Sequence, residues 1–323
     1  MNKYVGSELS SLEFDGRVAI VTGSGGGLGR QYALDFAAAG AKVVVNDPGH
    51  GADAERSFRL ADVVVAEIKK AGGEAVASYE PVGSSEAAES IVNTAIDGFG
   101  RVDILVNNAG ITRDGAFHKM TKRMMDEVID VHFRGPMYLT QLVYALMCQQ
   151  NYGRIVNITS ASGLYGNAMQ VNYAGAKMGV VGMASALGDE ADARNRNIRI
   201  NCVAPLAKTP MTEVVTAMGA QYDTADVSPL VLALAHDSQL ESGGVYGAGA
   251  GRFTFITLTE TSGVILKGAT AKTVRDHMSA IRRADGIESP GNLTEALEIN
   301  DKFVEMFGGD VHTKFYGPAV HTS

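Results

Sequence analysis

The sequence predicts an α/β fold, a doubly wound parallel sheet with helices on both faces and a helical extension at its C-terminal end. Three observations carry this. Short apolar runs alternate with amphipathic helical patterns from residue 17 onward, a glycine-rich turn joins the first such pair, and later strand patterns end in polar residues, at Asp47, Asn108 and Ser160.

Arg17 to Val21 reads as a strand and runs into Thr22-Gly23-Ser24-Gly25-Gly26-Gly27-Leu28-Gly29. Leu28, Tyr32 and Phe36 then recur at helical spacing, and Gly40 stops the run. Glycines at a strand-to-helix turn let the backbone approach a pyrophosphate, and the helix start offers unpaired N–H groups. A merely flexible glycine loop is the alternative. A second strand, Ala41 to Asn46, ends at Asp47. A carboxylate about twenty residues past such glycines can take both hydroxyls of an adenosine ribose and repel a 2′-phosphate, so NAD rather than NADP is the expected cofactor. Equally, Asp47 suits a turn before Pro48-Gly49.

Residues 48–59 read as a polar loop, followed by a helix over Leu60 to Ala71 and a third strand over Ala75 to Tyr79. After Glu80-Pro81-Val82, a helix with Ile91, Val92 and Ile96 inward runs to Gly98. Val102 to Val106 is the fourth strand, ending in Asn107-Asn108-Ala109-Gly110. Met124 to Ile129 and Tyr138 to Met147 read as two helices separated near Gly135-Pro136.

Arg154 to Thr159 is the next buried strand; Gly163, Gly166 and Asn167 break the chain, and a helix includes Tyr173 onward. Tyr173 and Lys177 share a helical face at i and i+4, and Ser160 lies thirteen residues earlier. A free phenol ionises near pH 10. A neighbouring ammonium is expected to lower that value towards the range of useful proton exchange. Such a pair is commonplace on helices, so its surroundings must carry the reading.

Gly243 to Gly247 closes the core, giving an N-terminal arm over 1–13, a catalytic domain over 14–250 and an extension over 251–323. Within the extension, Phe253, Phe255, Ile256 and Leu258 suggest an extended segment. Val274, Met278 and Ile281 suggest one helix, and Leu293, Leu297 and Val304 another, closed by Gly308-Gly309.

The 323 residues are 46% hydrophobic and 20% charged, which excludes wholesale disorder, and the net charge of −8 without a basic run long enough for a phosphate backbone speaks against nucleic acid. No apolar stretch reaches membrane-spanning length, and Met1 to Ser11 lacks the apolar core of a signal peptide. A soluble cytoplasmic protein is expected. Cys148 and Cys202 read as small buried hydrophobes, and the seven histidines show no metal-ligand spacing, so no metal is expected.

Taken together, T-G-S-G-G-G-L-G (22–29), N-N-A-G (107–110), Ser160 and Y-A-G-A-K (173–177) resemble the short-chain dehydrogenase/reductase family over about residues 14 to 250. The resemblance implies a Rossmann-type fold and an NAD-dependent oxidoreductase of secondary alcohols. It implies that Gly23, Gly27, Leu28 and Gly29 hold the pyrophosphate, Asp47 the ribose and Val82 the adenine, with Asn108 and Ala109 beside the cofactor. Tyr173 becomes the general acid/base, Ser160 the holder of the substrate oxygen, and Lys177 the ligand of the nicotinamide ribose, with Pro205 and Thr209 flanking the nicotinamide amide. A homodimer or homotetramer is implied, as is an extension packed over the active site or the dimer interface.

Departures from the family pattern narrow the likeness. His132-Phe133-Arg134-Gly135 replaces the usual Asn-x-x-Gly, Pro205-Leu206 replaces Pro-Gly, and the acid before Val82 is displaced to Glu80. These are similar to the (3R)-hydroxyacyl-CoA dehydrogenase unit of peroxisomal multifunctional enzymes of type 2. The substrate so implied is a 3-hydroxyacyl-CoA or a related lipid- or steroid-derived thioester. The His321-Thr322-Ser323 ending is unlike the peroxisomal tripeptide signal, and a stand-alone unit is expected. His132 reads either as a proton carrier or as a capping or packing histidine. Two other functions stay open. One is a hydroxysteroid or other bulky-alcohol dehydrogenase acting on free substrates, with Met169, Met178, Met183, Met211 and Met218 as an adaptable pocket. The other is a non-catalytic nucleotide-binding protein on the same fold.

Overall fold

β1 (Val18–Thr22) is buried along its whole length, as a central parallel strand covered on both faces must be. Ala19 and Val21 point into one apolar layer, Val18 and Ile20 into the other. The computed structural model describes residues 12–52, 57–209 and 222–283, together with 286, 288–290, 295 and 299. Residues 1–11 of the expected arm, Met211, Met218, and the helix expected around Leu293, Leu297 and Val304 with its Gly308-Gly309 end lie outside them.

In chain order, β1 leads into α1 (Gly27–Ala38) and β2 (Lys42–Asn46). Residues 48–59 are not a plain loop: β3 (His50–Ala52) and β4 (Ser57–Arg59) pair as an antiparallel ribbon. Then come α2 (Leu60–Lys70), β5 (Glu74–Ser78), α3 (Ser85–Phe99) and β6 (Ile104–Asn107). The Ser84 hydroxyl accepts from Ala87 N–H to start α3, and Gly100 in the left-handed region, rather than Gly98, ends it.

The expected break near Gly135-Pro136 is absent. α4 (Lys122–Ile129) passes through a wide π turn (Asp130–Arg134) into α5 (Gly135–Gln150). The wider turn bonds Gly135 N–H back to Asp130 O and places Pro136, which has no N–H to give, in the first turn of α5. β7 (Gly153–Ile158) and a short α6 (Ala161–Tyr165) precede α7 (Val171–Ala193), β8 (Ile198–Pro205) and α8 (Ser228–Ala235).

β9 (Val245–Gly249) is not the last strand, because β10 (Arg252–Ile256) pairs with it antiparallel. The full order is β10-β9-β8-β7-β6-β1-β2-β5, parallel throughout except for β10. The chain divides into two compact units after Ile256, so β10 belongs with the sheet and the core runs past residue 250. In the second unit the single helix expected over residues 274–281 is two short ones, α9 (Ala271–Asp276) and α10 (Met278–Ile281). The Thr261 hydroxyl donates to Ile281 O at 2.7 Å there. No helix among the described residues is long and apolar enough to cross a membrane.

One face of the sheet packs Tyr32, Phe36, Val64, Ile68 and Val231; the other packs Ile91, Leu139, Val143, Met147 and Val181. Phe14 closes the first layer edge-on to Phe36, with ring centroids 5.2 Å apart. Strand order reverses about β1, which pairs with β2 on one side and β6 on the other. That reversal opens a crevice at the carboxyl ends of β1 and β6.

Tyr32 is fully buried and its hydroxyl has no hydrogen-bond partner among the described residues. A buried hydroxyl without a partner costs about 1–3 kcal/mol. Tyr32→Phe is therefore expected to stabilise the fold by about 1 kcal/mol, read as a higher urea midpoint with an unchanged slope.

Candidate active site

The crevice is a cleft of about 390 Å³, lined on one side by the glycine turn and Asp47 and on the other by Ser160, Tyr173 and Lys177. The turn is locked to the end of β6. Asn108 Nδ2 donates to Thr22 O at 2.9 Å and to Gly23 O at 3.1 Å, while Thr22 Oγ1 accepts from the N–H groups of Asn108 and Ala109, both at 3.0 Å. Gly23 has φ +64°, and a Cβ there would meet Ala109 Cα at 2.7 Å. At Gly29 a Cβ would lie 2.2 Å from Gly23 O.

No side chain caps the start of α1 at Gly26, and the space beside Gly26 is open. First-turn N–H groups without a cap, opening on a cleft, fit the pyrophosphate of a dinucleotide. Asp47 Oδ2 accepts from Gly25 N–H at 3.0 Å and Oδ1 from Gly49 N–H at 2.7 Å. Two backbone donors thus fix the carboxylate's orientation and leave lone pairs for a ribose diol.

Ser160 follows β7 and starts α6, its Oγ accepting from Ser162 N–H at 3.1 Å. Thr159 Oγ1 donates to Lys177 O at 2.7 Å, and Lys177 Nζ donates to Ile158 O at 2.5 Å. These bonds hold α7 against the end of β7. Gly163 lets α6 approach, since a Cβ there would lie 2.8 Å from Lys177 Cβ. Ser160 is close enough to the Tyr173 phenol to favour its ionised form, and Lys177 Nζ lies 5.7 Å from the Tyr173 ring centroid.

The electrostatics of this wall differ from the sequence expectation. Burial raises the Tyr173 phenol; Ser160 opposes the rise, and the carboxylate of Asp114 adds to it. Burial also pushes the Lys177 amine down to about 7. With the chain's own groups as surroundings, desolvation outweighs any pull of the amine on the phenol.

His132 lies in the π turn, 1% exposed. Its ring meets Tyr173 edge-on, with centroids 4.9 Å apart at 79°. Nε2 is 2.9 Å from Ile111 N and 2.7 Å from Ile111 O, while Nδ1 has no partner among the described residues. Burial, and then the Lys177 amine, hold the imidazole well below its usual value. His132 is a neutral packed ring with one nitrogen in reserve, and it caps no helix end.

Gly23, Gly27, Leu28, Gly29, Asp47, Asn108, His132, Ser160, Tyr173, Lys177, Pro205 and Thr209 all line the one cleft. Val82 and Ala109 do not. Val82 is buried in the core, where a Cβ on Gly135 would lie 2.2 Å from its Cγ1, and Ala109 backs Gly23. The cleft adds Leu60, Gly110, Ile158, Thr159 and Ala207. All but Leu60 adjoin a motif residue; Leu60 arrives through the β3–β4 ribbon, which carried no signal. Met169 is exposed and Met178 packs against the core, and neither lines the cleft, so the expected methionine pocket is not found among the described residues.

A family model described as short chain dehydrogenase matches residues 17–220. The chain is 43% identical to peroxisomal multifunctional enzyme A of Dictyostelium discoideum over 290 residues, 89% of this chain and 65% of that one. It is 42% identical to the (2S)-[(R)-hydroxy(phenyl)methyl]succinyl-CoA dehydrogenase subunit BbsD of Thauera aromatica over 207 residues, 64% of this chain and 79% of that one. The structure of full-length peroxisomal multifunctional enzyme type 2 from Drosophila melanogaster aligns with a TM-score of 0.74 at 35% identity, covering 92% of this chain and 51% of that one. The chain thus spans less than two thirds of each of the two peroxisomal proteins.

A lysine at about 7 in the folded chain and at its ordinary 10.5 when unfolded leaves the unfolded chain binding the extra proton between those two values. Stability against urea is therefore expected to rise between about pH 7 and pH 9.5. Lys177→Met should flatten that rise; an unchanged slope in the variant would assign the titration elsewhere.

Proposed function

The chain belongs to the short-chain dehydrogenase family, and from that premise we propose that it oxidises the secondary alcohol of a (3R)-hydroxyacyl thioester of coenzyme A with NAD, the reverse being ketone reduction. The observation that carries the proposal is the gathering of Ser160, Tyr173 and Lys177 on one wall of the cleft, opposite the glycine turn and Asp47. The thioester is supported by the relative named (2S)-[(R)-hydroxy(phenyl)methyl]succinyl-CoA dehydrogenase subunit BbsD, whose substrate name is a CoA thioester.

In this reading Ser160 Oγ holds the alcohol oxygen by a hydrogen bond, and Tyr173 Oη takes its proton as the carbon–hydrogen pair leaves as hydride and the carbonyl forms. Bound NAD supplies the hydride acceptor and a positive charge beside the phenol. Lys177 Nζ, held at Ile158 O, orients the tyrosine face and binds the nicotinamide ribose. An amine near 7 can give or take a proton at neutral pH, and the neutral His132 ring packs against the Tyr173 ring beside it. Pro205 and Thr209 close the nicotinamide end. Asp47 carries the preference for NAD, since its charge opposes a 2′-phosphate. A second copy of the chain is the proposed partner, supported by β10, an edge strand whose Phe253 and Phe255 are exposed.

Tyr173→Phe is expected to lower kcat/KM by about 10³-fold while NADH binding, followed by fluorescence, stays within about twofold; full turnover in that variant would remove the assignment. Asp47→Ala should weaken NAD and admit NADP, each by about tenfold, in paired cofactor titrations. A panel of 3-hydroxyacyl-CoA thioesters and matching free alcohols and sterols tests the substrate. Faster oxidation of the free alcohols would shift the reading to a bulky-alcohol dehydrogenase.

A further inference from the structure

The segment Phe117-His118-Lys119-Met120-Thr121-Lys122-Arg123 stands out in a chain of net charge −8. It forms a single 3₁₀ turn (Phe117–Lys119) and the start of α4. Met120 is its only buried residue and anchors it. Phe117 is 62% exposed, and His118, Lys119, Lys122 and Arg123 are exposed too. An aromatic ring left in water among cations has no packing reason to be there.

The charges are undercompensated. Arg123 shares the single carboxylate of Glu127 with Arg113, while Lys119 and Lys122 pair with no described residue. Arg134 is paired with Asp130, Asp114 accepts from Gln170, and Asp126, four residues after Lys122 on α4, is the nearest carboxylate left to offset it. Lys122 and Arg123 stand in the first turn of α4, which holds no acid, against the helix dipole. α2 and α3 each begin with an acid, Asp62 and Glu86; α1, α5, α7, α8 and α9, like α4, do not. Clustered exposed cations with an exposed ring are locally unfavourable, as a ligand-facing patch would be.

The segment is also tied to the catalytic wall. Asn172 Nδ2 donates to Arg113 O and Met124 O, both at 3.1 Å, and Asn172 Oδ1 accepts from Tyr173 N–H at 2.9 Å. Gly110, at the head of the loop leading to Phe117, lines the cleft itself.

We propose that Phe117, Lys119, Lys122 and Arg123 form the subsite for the phosphorylated adenosine handle of the thioester substrate, the ring stacking on adenine and the cations meeting the phosphates. The inference rests on the thioester reading above. Base–aromatic stacking and exposed cations are the combination that holds a nucleotide without reading a sequence. The run is too short to track a polynucleotide backbone, and it suits a handle of a few phosphates.

The test compares a 3-hydroxyacyl-CoA with its N-acetylcysteamine thioester, which has the same acyl group and no phosphate. In Lys119→Glu/Lys122→Glu the KM for the CoA thioester should rise about tenfold and become less sensitive to salt. The KM for the short thioester should stay within twofold. Lys69→Glu/Lys70→Glu, the same charge change at the far end of α2, should leave both unchanged. Equal shifts for both thioesters, or the same shift in the α2 variant, would overturn the subsite. So would a penalty confined to an acyl-carrier-protein thioester, which would make the patch a protein-docking surface. Calorimetry gives a second arm independent of turnover. Adenosine 3′,5′-bisphosphate titrated into NADH-saturated protein should bind, and should bind less well to the lysine variant and to Phe117→Ala. No binding to the unaltered chain, or equal binding to both variants, overturns the proposal. Should neither thioester be oxidised, the proposed function fails, and the calorimetric arm alone decides the subsite.

Discussion

A lysine side chain buried to its tip is the constraint around which this structure is arranged. Lys177 is 3% exposed, and taking an ammonium out of water disfavours its charged form. The chain answers with a carbonyl at the end of β7, Ile158 O, and with Thr159 Oγ1 holding the backbone of the same residue. These contacts require α7 to cross the end of β7 closely. That approach is possible because Gly163 puts no side chain between α6 and α7. The tyrosine one turn earlier on α7 is then fixed over the cleft, and Ser160, already starting α6, meets its hydroxyl.

Beneath the amine, the sheet is polar where an apolar row would be ordinary. Asn107, Asn157 and Cys202 occupy one register row across β6, β7 and β8. Asn107 Nδ2 donates to Asn157 Oδ1 at 2.9 Å and to Thr140 Oγ1 at 3.2 Å. Burial pushes the Cys202 thiol up to about 12, with Lys177 and Asn157 pulling the other way. A neutral thiol adds no charge to the site, and the Asn107 bonds carry a polar link from Thr140 of α5 across β6 to β7. The row ties the position of the amine to the packing of the sheet rather than to a loop.

Much of this was legible in the sequence because it is local. The glycine turn, Asp47, Asn108 and the Ser160–Tyr173–Lys177 trio are short motifs whose flanking periodicity says strand or helix, and the doubly wound order follows from their alternation. What was not legible is set by non-local packing. Nothing in residues 48–59 distinguishes a ribbon from a loop, and the pairing of β3 with β4 is a tertiary outcome. Gly135-Pro136 is a helix-breaking pair by propensity, but a single π turn accommodates it. The resemblance assigns Val82 to the adenine; its burial, close against Gly135, is a tertiary outcome that the sequence does not show. The rise of the phenol in the chain alone has the same origin: the charge of Lys177 is visible in the sequence, and the burial of the pair is not.

Several departures from local rules gather at the cleft. The π turn, the unpartnered Nδ1 of His132, the buried amine and Met169 at φ +69° all lie at or close to the carboxyl ends of the strands. At the opposite ends, Arg154 is equally buried yet satisfied by Gly153 O, Asn197, His236 O and Asp237 O. Its neighbours Arg17, Asp103 and Tyr152 complete a closed polar cluster. A buried cation with every donor used is a structural element; a buried amine with one acceptor, beside an imidazole with one nitrogen spare, is a site that keeps proton positions open. Around Arg154 each donor of the guanidinium is used, whereas beside the phenol an amine and an imidazole keep hydrogen-bonding capacity open.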